Sequence, residues 1–147
     1  VLHGMPVALG FMNILSSPNH KVSVVGITEA GTKFSELANP IIDLNSFEQT
    51  LSDEEVAFYL QHVNSSQPYE MQAIRTIIEA INSGERTFEG IKNRLHTLDK
   101  GWSSNVLTTM CTGVLSRMRE LRLLEIQKEG VRSHYSLGPS AKMVTMQ

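Results

Sequence analysis

Asn105, Thr108, Thr109, Thr112, Ser116 and Arg119 recur at spacings of three and four, which places them along one side of a helix. Those residue types can read a duplex. Asparagine pairs bidentately with adenine, threonine bonds a base edge or touches a thymine methyl, and arginine clamps guanine or a phosphate. Small side chains let a helix approach the groove floor. An ordinary solvent-facing stripe would carry lysine and glutamate, because threonine is a poorer helix former. Ser104 precedes the stripe. Arg132 and His134 follow it on an alternating segment, placed to reach a flanking phosphate or the minor groove. Thr87, Lys92 and Arg94, with Arg86, are placed to anchor phosphates from an upstream helix, and Thr87 doubles as that helix's cap.

No catalytic constellation competes with this stripe. The five histidines (His3, His20, His62, His96, His134) are dispersed without ligand spacing. With one cysteine and no H-x-x-E-H or C-x-x-C pattern, neither a metal site nor a cofactor is expected. Cys111 falls on the apolar side of its helix and reads as a small core residue. No glycine-rich phosphate loop occurs. Asp53, Glu54 and Glu55 read as a helix start favoured by the dipole. The chain is therefore expected to be no enzyme.

Charge is unevenly spread beneath a formal net charge of −2. Residues 1–83 carry three lysines and arginines against nine aspartates and glutamates, a balance of −6. Residues 84–147 carry ten against six, a balance of +4. Phosphate neutralisation supplies much of DNA affinity, so the C-terminal half is the docking surface to consider. A continuous patch through Arg117, Arg119, Arg132 and Lys92 would suit DNA. The same patch broken by Glu89, Glu120 and Glu125 would suit a protein partner. No apolar run reaches the roughly 20 residues needed to cross a bilayer, and no signal-peptide pattern opens the chain. The single cysteine fits a reducing compartment, so the expectation is a cytoplasmic protein without a membrane partner.

The elements that must position the stripe follow from periodicity and punctuation. Residues 7–15 and 21–27 are β-branched, apolar runs around the turn formers Ser16 to His20, which predicts a hairpin. Thr28 caps a helix to about residue 38, ended by Asn39-Pro40, and residues 41–50 form a connector. Ser52 to Glu55 is a capping box for a helix to about Val63. A longer helix spans about 69–82, closed near Gly84. Thr87 caps the next, with Phe88, Ile91 and Leu95 facing in, and His96 to Gly101 is a turn. Ser103 or Ser104 caps a third helix to about Arg122. Its core face is expected to be Leu107, Met110, Cys111, Val114, Met118 and Leu121. Two strands follow around Lys128-Glu129-Gly130, with Leu124, Ile126, Tyr135 and Leu137 inward and Arg132 and His134 outward.

The order helix, helix, helix, strand, turn, strand over 68–138 resembles the winged-helix superfamily, in particular regulators typical of archaea and bacteria. The likeness rests on Leu115-Ser116-Arg117-Met118-Arg119-Glu120-Leu121-Arg122-Leu123-Leu124-Glu125-Ile126 and on His134-Tyr135-Ser136-Leu137. Arg122 stands where many members carry a helix-ending glycine. Leu9 to Ile14 and Val24 to Phe34 resemble a wing strand and its exit, which implies a second copy whose recognition helix lies before Val1. The expected fold is mainly α with small β-hairpins (α+β), a tandem winged helix-turn-helix with its first copy incomplete. Its divisions are a partial first copy over 1–45, a connecting helix over 46–67, the winged helix over 68–138 and a tail over 139–147. The resemblance implies sequence-specific binding of double-stranded DNA and transcriptional regulation, with residues about 103–122 as recognition helix and about 123–137 as wing. The competing readings are a protein-interaction scaffold and the DNA-targeting part of a larger replication or restriction protein. Phe58, Tyr59 and Leu60 are candidates either for a homodimer interface, which would suit paired half-sites, or for packing the two halves together.

Overall fold

The computed structural model describes residues 5–15 and 24–145. They form an α+β fold of helices with two small antiparallel hairpins, divided into two compact units, Val1–Gln67 and Pro68–Gln147.

In the first unit, α1 is a single turn over Met5–Ala8. The strand expected over 7–15 is therefore shorter. Gly10 takes φ 80, a left-handed turn that breaks the extended run, and only Met12–Leu15 is strand β1. It pairs antiparallel with β2, Val24–Ile27, in the register Met12 opposite Ile27 and Leu15 opposite Val24. The expected turn at Ser16 to His20 lies outside the described residues. Thr28 caps α2, Glu29–Ser35, by accepting from the Gly31 amide, and its hydroxyl donates to the Gly10 carbonyl at 2.7 Å. Gly31 is tightly enclosed, since a Cβ there would collide with the Phe11 carbonyl.

The expected connector contains a further helix, α3, Pro40–Leu44. Asn39-Pro40 starts this helix as cap and first residue, and α2 has already ended at Ser35. The Asn39 side chain accepts from the Ile41 and Ile42 amides, and Asn45 closes α3 in the left-handed region at φ 50. The capping box at Ser52 opens α4, Asp53–Ser66. Glu55 is buried there, accepting from the Ser52 amide and from the Asn39 side-chain amide. Tyr59 and Leu60 are also buried within the chain, and Phe58 is half-buried against the Phe34 ring.

The second unit opens with α5, Pro68–Asn82, whose Met71, Ile74, Ile77 and Ile81 are buried. Gly84, at φ 96, ends it in a Schellman motif: the Gly84 amide donates to Ile81 and the Glu85 amide to Ala80. Thr87 caps α6, Phe88–His96, and Ser103 caps α7, Ser104–Glu120. Strands β3, Leu124–Glu129, and β4, Arg132–Leu137, form the second hairpin. Gly130 sits first in its two-residue turn at φ 61 and Val131 has negative φ, the II′ pattern that matches strand twist. The Tyr135 amide donates to the Arg86 carbonyl and Thr87 bridges to His134, so the segment before α6 runs beside β4. Leu124 opposes Leu137 and Ile126 opposes Tyr135 on the inner face. Residues 139–145 pack as a 3-10 turn and α8, Lys142–Thr145, with Ser140, Ala141 and Val144 buried.

The end of α7 is unusual. The Arg122 amide donates to Arg119 and the Leu123 amide to Met118, a second Schellman closure with Leu123 and Met118 both fully buried. Its left-handed position is held by Arg122 at φ 54 where glycine would be unstrained.

Candidate nucleic-acid interface

α7 positions the stripe because its opposite side is core. Leu107, Cys111, Val114, Leu115, Met118 and the cap residue Leu121 are buried. Met110, expected there, is 40% exposed, and Leu115 takes the buried place instead. At 100° per residue, Met110 lies on the flank of the apolar arc, next to the exposed Val106. Cys111 is sealed from solvent, and burial pushes its thiol up to about 11, which rules out a thiolate near neutrality.

Asn105, Thr108, Thr109, Thr112, Ser116 and Arg119 are all exposed and share the arc opposite this core. Ser104 is exposed at the first helical position. The Thr109 hydroxyl donates to the Asn105 carbonyl at 3.0 Å, so it presents its methyl and an acceptor lone pair outward.

The flanking candidates divide. Arg94 and Arg132 are exposed, Arg132 directly opposite Glu129. Thr87 is exposed and its hydroxyl accepts from the Gly90 amide at 3.2 Å. Lys92 is half-buried, paired with Glu89 at 2.7 Å and lying 5.8 Å from the Phe88 ring centroid. His134 is half-buried opposite Gln127, with Glu129 at 3.7 Å.

Arg117 turns its side chain to α5. Its guanidinium donates twice to Glu70 of α5, at 2.6 and 2.7 Å, a bidentate pair in a half-buried setting. Sequence reasoning missed this pair because the partners stand 47 residues apart with no local signal. In the patch expected through Arg117, Arg119, Arg132 and Lys92, Arg117 and Lys92 are each paired with a carboxylate.

Among the described residues no group of three or more histidines, cysteines or carboxylates is placed to hold a metal ion, and no helix is long and apolar enough to cross a membrane. No family model, no curated protein and no solved structure matches the chain.

Proposed function

We propose that this chain binds double-stranded DNA as a winged helix, with α7 in the major groove and β3–β4 as the wing, and that it acts in transcriptional regulation. The observation that carries the reading is the exposed arc of α7, six small or hydrogen-bonding side chains on the outer side of a helix 17 residues long. A helix of this diameter fits a major groove about 12 Å wide. The order α5, α6, α7, β3, β4, with the Arg86–Thr87 segment beside β4, supports the same reading. Asn105 and Thr109 are then base readers near the helix start, while Arg119, Arg94 and Arg132 hold backbone phosphates.

Selection from a random duplex pool tests it. Enrichment of a common core is expected, with Asn105→Ala relaxing preference at one position by about 1–3 kcal/mol. A pool that stays random at low salt would sink the idea.

One observation favours a second reading, a protein-interaction module. Carboxylates answer Arg117 and Lys92, and Glu125 and Glu129 stand on the outer face of β3. A partner protein that covers α7 while no duplex binds would choose it.

A further inference from the structure

The second hairpin leaves one backbone edge unused. The Tyr135 amide points away from β3, toward Arg86. Tyr135 stands opposite Ile126, so the pair is of the non-hydrogen-bonded kind and the Ile126 N–H and C=O also point away from β4. Alternation gives Lys128 the same direction. The Arg86 carbonyl accepts from the Tyr135 amide at the outer edge of β4, and among the described residues no backbone hydrogen bond reaches the outer edge of β3.

A groove of about 750 Å³ runs along this edge. Ile126, Ser133 and Pro139 line it together with Arg119, Arg122 and Lys128. Glu125 is the one carboxylate in its lining. Lysine on an edge strand normally discourages pairing. Here it shares a groove with Arg119 and Arg122, so it disfavours a basic strand and attracts an acidic one.

We propose that the outer edge of β3 docks an extended acidic peptide of a partner protein by strand addition. Main-chain bonds to Ile126 and Lys128 give the affinity, an apolar residue covers Ile126, and acidic residues meet Arg119 and Lys128. The surface is separate from the base-reading arc of α7, with Arg119 at the border between them.

The test is a display selection of random decapeptides on the full chain, counter-selected on the Ile126→Pro variant. Proline on an outward-facing edge position leaves the hairpin's own ladder intact while removing the docking amide. Enriched peptides are expected to be extended and acidic, to lose at least tenfold in affinity to Ile126→Pro, and to slow exchange of the Ile126 and Lys128 amides. Lys128→Glu, which keeps the backbone edge, should also weaken them at least tenfold and should accept their lysine-substituted counterparts. No enrichment over the counter-selected surface, basic peptides, or equal binding to Ile126→Pro would overturn the proposal. Asn105→Ala should alter duplex preference while leaving peptide affinity unchanged, so the two readings fail separately.

Discussion

β1–β2 and β3–β4 are both two-stranded antiparallel ladders, but β1 and β2 hold no charged side chain, whereas β3 and β4 hold Glu125, Lys128, Glu129 and Arg132. Burial differs in the same way. Ile14, Leu15, Val24, Val25 and Ile27 are exposed, while Leu124 and Tyr135 are buried. In the second hairpin one face lies on the helices of its own unit and the other meets water, so a one-residue slip would expose Leu124 and Ile126 and bury charge. The first hairpin has no such lock, because apolar residues face solvent from both of its faces. Alternation of polar and apolar residues fixes a strand's partner face only where a helix layer waits beneath it.

Paired substitutions sharpen this contrast. Leu124→Ala should cost about 3 kcal/mol in urea unfolding, because a fully enclosed leucine leaves a cavity. Val25→Ala should cost under about 1 kcal/mol, because much of that side chain is already wet. Equal costs would mean that the first hairpin is packed as tightly as the second.

A smaller effect separates two ion pairs in the second unit. Arg117→Ala should destabilise by about 2 kcal/mol, since it strands the half-buried Glu70 carboxylate. Lys92→Ala removes a pair with an exposed glutamate and should stay within about 0.5 kcal/mol. Denaturation midpoints that move together would contradict the bidentate geometry.

Smaller again is the backbone effect at Arg122. Arg122→Val should be less stable than Arg122→Gly by about 1–2 kcal/mol, because a β-branched residue tolerates the left-handed region worst. Calorimetry on the two variants reads the difference free of the arginine's own contacts. The last effect leaves stability alone. Cys111 should resist iodoacetamide at pH 8 in the folded chain and react once the chain unfolds, since burial holds its thiol near 11. Rapid labelling of the folded protein would show that α7 opens locally.

Much of the second unit was legible because its signals are local. Thr87 and Ser103 are polar caps before apolar periodicity, and Leu124, Ile126, Tyr135 and Leu137 alternate with polar neighbours. Met110 misled because a three-residue step from Leu107 lands at the edge of the arc, where exposure depends on the neighbouring helix. Asn39-Pro40 misled because the same pair can stop one helix or cap the next, and Glu55, far in sequence, supplies the bond that favours the cap. The exposed arc of α7 was readable from spacing. The pairing of Arg117 with Glu70 was not, since it needs two helices to meet.

The central claim is that α7 and the second hairpin hold a duplex, and its salt dependence measures that directly. Fluorescence anisotropy of the full chain with a selected duplex, titrated from 50 to 200 mM salt, gives the number of phosphates neutralised. Arg119→Ala and Arg132→Ala should each weaken binding and reduce the slope of log K against log salt by about one. A slope unchanged by both substitutions, or no binding to any duplex at the lowest salt, would contradict the account.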